Sequence, residues 1–132
     1  MKIVALDGQT LNPGDNSWEP VSTLGEFSVY ERTTPGEVIE RSIDADVILT
    51  NKVVLDKTLL GQLPNLKFVG VTATGYNVVD VEYCAQRNVP VSNVPVYSTQ
   101  SVAQHVFAML LSYFHRPLEH HAAIHDLSLI HI

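Results

Sequence analysis

The chain has 132 residues, 45% of them hydrophobic and 17% charged, and its eight Lys and Arg stand against fourteen Asp and Glu for a formal net charge of −6. That is the composition of an ordinary globular domain, which excludes disordered, collagen-like and coiled-coil classes and is enough chain to bury roughly two thirds of its unfolded surface. No basic stripe is present to neutralise phosphates, so nucleic acid is not an expected partner. The longest apolar runs, such as Val106 to Leu111, fall far short of the roughly 20 residues that span a bilayer, so no membrane is expected either. The short apolar stretch at Met1 to Leu6 reads as a strand, not a signal peptide, and a single cysteine, Cys84, fits a reducing compartment. The expectation is a soluble cytoplasmic protein.

In chain order, Lys2 to Leu6 reads as the first strand, and Ser17 to Leu24 as a helix with Asn16 as N-cap. Phe27 to Glu31 is the second strand. Pro35 to Ile43 follows as a helix, with Thr34 as cap and Pro at the first helical position. Asp46 to Thr50 is the third strand, Asp56 to Leu63 a helix ended by Pro64, and Lys67 to Val71 the fourth strand. Asp80 caps a helix that stops at Asn88, and Val89 to Ser92 is the fifth strand. These strands are near-continuous apolar runs, as expected when a parallel sheet is covered on both faces. Alternation with helices implies right-handed crossovers and a doubly wound α/β sheet. After a loop, Ser98 to His115 carries Val102, Val106, Met109, Leu110 and Tyr113 at helical spacing, and Pro117 either ends that helix or opens another.

In such sheets ligands bind beyond the carboxyl ends of the strands. That nominates Asp7 to Thr10, Asn51-Lys52, Thr72 to Tyr76, and Val94 to Thr99. The turn Thr72-Ala73-Thr74-Gly75-Tyr76 offers peptide N–H groups suited to a carboxylate; alternatively it is a tight strand-to-helix turn with Gly75 at a positive φ. Gly70-x4-Gly75 lacks the Lys-Ser/Thr of a phosphate loop, and no Gly-x-Gly-x-x-Gly occurs. All six His lie between positions 105 and 131. His121 and His125 have a metal-ligand spacing but no supporting Cys or carboxylate pattern, and a solvated helix face is the simpler reading. Cys84 reads as a buried, inert thiol.

Three runs occur in fixed order: Val69 to Asp80 (VGVTATGYNVVD), Asn88 to Pro95 (NVPVSNVP) and Tyr97 to His105 (YSTQSVAQH), with Ile48 to Lys52 (ILTNK) ahead of them. Together they resemble the D-isomer-specific 2-hydroxyacid dehydrogenase family, in its glycerate dehydrogenase and hydroxypyruvate reductase branch, over about residues 1 to 125. The resemblance implies a flavodoxin-like substrate-binding domain at 1–97, a crossing-helix region at 98–126, and a tail at 127–132 that leaves the family pattern, as though the reading frame enters foreign sequence. It implies substrate contacts at Asn51, Lys52, Thr74, Gly75 and Tyr97, and NAD(P) contacts at Thr74, Thr99 and Val102. The cofactor would be held mainly by a Rossmann domain absent here. A small keto acid suits peptide N–H donors, and hydride transfer suits a dry cleft. The family's catalytic Arg, Glu and His follow its glycine fingerprint, so no catalytic residue is expected in this chain, which alone should be inactive. A small 2-keto or 2-hydroxy acid is the expected partner, with a homodimer in the full-length enzyme and an apolar stripe that makes the isolated chain self-associate. The alternative is a stand-alone flavodoxin-like binding or signalling module. It is weakened because Asp7 has no acidic neighbour and the third and fifth strands end in Thr50-Asn51 and Ser92-Asn93.

Overall fold

The computed structural model describes residues 1–126, and the chain divides into two compact units, Met1–Pro95 and Val96–Ile132. The first unit contains β1 (Lys2–Ala5), α1 (Gly8–Leu11), α2 (Glu19–Ser22), β2 (Glu26–Val29), a 3-10 turn (Pro35–Glu37) running into α3 (Val38–Ser42), β3 (Val47–Thr50), α4 (Lys57–Leu60), β4 (Phe68–Val71), α5 (Val81–Gln86) and β5 (Val91–Ser92). All five strands are parallel, in the order β2-β1-β3-β4-β5. This is the flavodoxin-like doubly wound order, whose winding reverses between β1 and β3.

Register explains the core. Val4, Ile48, Val69 and Val91 are partners in one row across the sheet, and the first three are almost fully buried beneath Val38, Leu60, Leu63 and Cys84 from the connections. The opposite row holds Phe27, Ile3, Val47 and Phe68, and here the expectation of a sheet covered on both faces fails. Trp18 stacks on Phe27 at 5.3 Å and Ile3 is buried, but Val47, Leu49 and Phe68 are only half-buried. The reason is topological. Right-handed crossovers place the β1–β2 connection on this face and the three later connections on the other.

Local chemistry sets the element ends. Thr34 caps as expected, and with Glu37 it forms a reciprocal capping box, while Asp56 and Asp80 accept from the peptide N–H of Leu59 and Tyr83. Asn88 stops α5 in the left-handed region at φ 57°. Asn16 does not cap α2: that helix starts at Glu19, whose N–H goes to Ser17 Oγ, while Asn12 and Asn16 close a separate loop. The α1 turn, unmarked by any apolar periodicity, was expected as loop.

Two carboxyls sit below their ordinary values. The Thr34 hydroxyl and peptide N–H hold Glu37 down, with Arg41 adding to them; Lys67 and the peptide N–H of Lys2 do the same for Asp46. A carboxyl depressed by folding stabilises the fold above its unfolded value, and that contribution fades as the pH falls towards the folded one. The melting temperature should therefore drop as the pH is taken below the ordinary values of 4.5 and 3.8, and a Glu37→Gln/Asp46→Asn variant should show a shallower acid limb in calorimetry.

The second unit consists of α6 (Thr99–His115) and α7 (Pro117–His125). Pro117 opens α7, and Arg116 between the helices takes a left-handed φ of 43°. Val102, Val106, Met109, Leu110 and Tyr113 are all exposed, and so is a second row, Phe107, Leu111 and Phe114, which makes the apolar surface wider than the expected stripe. Residues 127–132, expected as a departing tail, lie outside the described residues. Among the described residues, no helix is long and apolar enough to cross a membrane.

Candidate functional site

The carboxyl edge of the sheet is tied together by side-chain to backbone hydrogen bonds. Asp7, immediately beyond β1, is 6% exposed. Its Oδ1 accepts from the Asn51 N–H at 2.8 Å, and its Oδ2 from the Lys52 N–H at 2.5 Å. Asn51 reaches on with its amide: Nδ2 donates to the Thr72 carbonyl beyond β4 at 2.9 Å. Thr72 donates through Oγ1 to the Thr50 carbonyl at 3.2 Å, and Thr50 through Oγ1 to the Val53 carbonyl at 2.9 Å. From beyond β5, Asn93 Nδ2 donates to the Thr74 carbonyl at 2.8 Å, and the Val94 N–H to the Ala73 carbonyl at 3.1 Å. Four of the five strand ends are thus joined through short polar links.

The loop they hold is Thr72 to Asn77. Its side facing the sheet is pinned, yet the peptide N–H groups of Thr74, Gly75, Tyr76 and Asn77 meet no acceptor among the described residues, and all four residues are exposed. Gly75 is not at a positive φ; only Gly14 is, among the described glycines, so the tight-turn explanation for Gly75 does not hold. A Cβ on Gly75 would come within 3.3 Å of Asn77 Oδ1, a close contact that glycine avoids. A run of solvent-facing donors beside a strand end is an anion cradle: it suits a carboxylate and supplies no proton acceptor.

The first βα turn is different. The N–H groups of Gly8, Gln9 and Thr10 are consumed by the carbonyls of Tyr30, Glu31 and Asp7. A Cβ on Gly8 would lie 2.5 Å from Val29 Cγ1, so that glycine serves internal packing and not the approach of a ligand. With the Asp7 carboxylate alongside, this turn has no free peptide donors for a pyrophosphate, and the described residues do not fit a dinucleotide here.

Of the residues expected from the sequence, Asn51, Lys52, Thr74 and Gly75 lie on loops at this edge, with Asn51 bonded to the base of the Thr74 loop. Lys52 lines a cavity with Asp7 and Arg32 that Thr74 and Gly75 do not line. In the second unit, Tyr97 is 67% exposed just before α6, Thr99 is the first residue of that helix, and Val102 lies one turn in. Sequence reasoning missed Asp7 and Asn93 as clamps. The signal was present for Asp7, a carboxylate directly after an apolar strand in a loop already nominated. Cys84 is buried, and burial, with Asp80 nearby, pushes its thiol up, leaving it unreactive. The described His residues are exposed on α6 and α7; His121 and His125 contact each other at 4.5 Å between ring centres, and no group of three metal-ligating side chains forms among the described residues.

Residues 5–120 match the family described as D-isomer specific 2-hydroxyacid dehydrogenase, catalytic domain. The chain is 46% identical over 129 residues to a hydroxypyruvate reductase of Blautia hydrogenotrophica, an alignment covering 96% of this chain and 40% of that protein. It is 34% identical over 112 residues to a glycerate dehydrogenase of Methylorubrum extorquens, covering 84% and 35%. In fold it matches a D-lactate dehydrogenase of Aquifex aeolicus solved with NAD and lactic acid, at a TM-score of 0.68 and 24% identity, over 96% of this chain and 38% of that one. The chain spans about two fifths of the length of these relatives. A dehydrogenase relationship across nearly the whole chain leaves no support for the stand-alone signalling module, and the chain belongs to the D-isomer-specific 2-hydroxyacid dehydrogenase family, matching its catalytic domain.

Proposed function

We propose that this chain is the substrate-binding part of an NAD(P)-dependent oxidoreductase that interconverts a small 2-keto acid, of the hydroxypyruvate or glyoxylate type, with the corresponding D-2-hydroxy acid, of the glycerate type. The observation that carries this reading is the row of unpaired peptide N–H groups from Thr74 to Asn77, held by Asn51 and Asn93 at the carboxyl edge of the sheet. In this reading the substrate carboxylate sits on the Thr74 and Gly75 amides. Asn51 sets the loop that presents them. The cofactor is held mainly by a domain outside these residues. The hydride comes from that cofactor; this chain orients the acid and contributes no acid/base side chain.

Titrating the isotopically labelled chain with oxamate, a non-reacting keto-acid analogue, should move the amide resonances of Thr74, Gly75 and Tyr76 in a saturable way; unmoved resonances there would sink the reading. No NADH oxidation should accompany hydroxypyruvate and the purified chain, and measured turnover would show the proton donor to be in these residues after all.

The same proposal makes the whole enzyme a cytoplasmic homodimer. Two adjacent apolar rows on an exposed helix are surface that water disfavours, and they support association through α6. Light scattering on the isolated chain at micromolar concentration should give a mass above that of one chain, and Phe107→Glu/Leu111→Glu should lower it. A clean monomer before substitution would contradict this.

A further inference from the structure

The chain has eight Lys and Arg, and six of them are accounted for. Lys2, Arg41, Lys67 and Arg116 make ion pairs with Asp44, Glu37, Asp46 and Glu119. Arg87 donates to the carbonyls of Leu60 and Leu63, and Lys57 lies over the Tyr83 ring. The remaining two, Arg32 and Lys52, have no carboxylate partner among the described residues, although the chain carries fourteen acids. Both line one cavity, of about 480 Å³. It opens at the carboxyl ends of β1 and β3, the point where the winding of the sheet reverses and where doubly wound sheets form their crevice.

From this geometry we infer a second binding site in the first unit, for a small organic anion carrying a phosphate or carboxylate group. Its recognition is by side chains, because the peptide N–H groups of the adjoining turn are already used at Tyr30, Glu31 and Asp7. Arg32 is oriented by its Nε bond to Gln9 Oε1 at 3.2 Å, which leaves the two Nη groups to meet an anion as a fork. Lys52 leaves the backbone at the amide fixed by Asp7, so its side chain starts from a rigid point. The Asp7 carboxylate in the same wall is turned to the Asn51 and Lys52 amides, and Asp56 to Leu59, so neither neutralises the cations through a short contact. The wall behind Arg32 is stiff: Arg41 stacks on Tyr30 at 4.3 Å and donates to the Arg32 carbonyl and Thr33 Oγ1. Val53, Val54 and Leu59 supply an apolar side for a short carbon body. The cavity is not lined by Thr74 or Gly75, so the site stands apart from the keto-acid cradle and does not depend on it.

The test is a titration of the labelled 132-residue chain with glycerol 3-phosphate and, separately, with succinate, followed by amide resonances. Saturable shifts at Thr10, Thr33, Lys52 and Val53 are expected with at least one of the two, and the stronger binder identifies the anionic group; uncharged glycerol should cause none. Arg32→Gln and Lys52→Met, both at exposed side chains, should each weaken binding about tenfold, the loss of one charge-assisted contact. Absence of saturable shifts at these four amides with both probes overturns the inference, as does binding unaffected by both substitutions. The oxamate response at Thr74 and Gly75 should persist in Arg32→Gln, so failure of this site and failure of the cradle are read on different resonances.

Discussion

Replacing Asp7 with alanine should destabilise the chain by about 2–3 kcal/mol, the cost of leaving two peptide N–H groups at a largely buried position without their acceptors. Asp7→Asn keeps one carbonyl oxygen, so it should recover part of the loss. A urea titration followed by Trp18 fluorescence measures both. The effect should also spread in a defined direction. Asn51 is held from below by Asp7 and holds Thr72 above it, so amide hydrogen exchange should accelerate at Asn51, Lys52 and the Thr72–Asn77 loop before it does in β4. Under the proposed function, oxamate affinity should then fall in Asp7→Ala even in buffers where the fold is fully populated. An Asp7→Ala chain with unchanged midpoint and unchanged exchange at Asn51 would show that the clamp does not hold the edge.

Ile48→Ala should be the most damaging single substitution of an apolar side chain in β3. Ile48 is 0% exposed, at the centre of the sheet between Val4 and Val69, and truncating it leaves a cavity that the rigid strands around it cannot close. A loss of about 4 kcal/mol is expected, within the range for large-to-small core changes. The neighbouring Val47→Ala makes the informative contrast. Val47 faces the half-buried side, so its truncation should cost about 1 kcal/mol or less, since it removes little area from water that is not already shared with solvent. Equal losses for the two would mean that the second face is covered as fully as the first, as the apolar continuity of the strands alone implied.

How much of this was legible beforehand follows from which interactions are local in sequence. The strands and helices could be read because their signals are local: apolar runs, Thr34 as a cap with Pro35 at the first helical position, Asp80 as a cap, and Asn88 as a stop. The position of the 72–76 loop was legible too, because it is a small, hydroxyl-bearing turn between an apolar strand and a capped helix; that Gly75 needs no positive φ was not. Two further things were not legible, and for the same reason. The Asp7 clamp joins residues 44 and 45 positions apart, and nothing near Asp7 in the chain names its partners. The pairing of Arg32 with Lys52 in one crevice depends on β1 lying between β2 and β3, an order that the alternation of elements permits but does not choose.

The half-covered face completes the contrast. Near-continuous apolar strands indicated burial on both sides, and composition could not say which connection would cover which side. That was decided by handedness: one crossover on one face and three on the other, leaving Val47, Leu49 and Phe68 partly open. By itself, then, the sequence determined the α/β class and the elements, and nominated the 72–76 loop, all from local steric and hydrogen-bonding preferences. The tertiary structure alone decided the strand order, and with it the clamp that holds the cradle, the crevice at β1 and β3 and the uneven cover of the sheet, because each of these is a contact between segments that only a particular winding brings together.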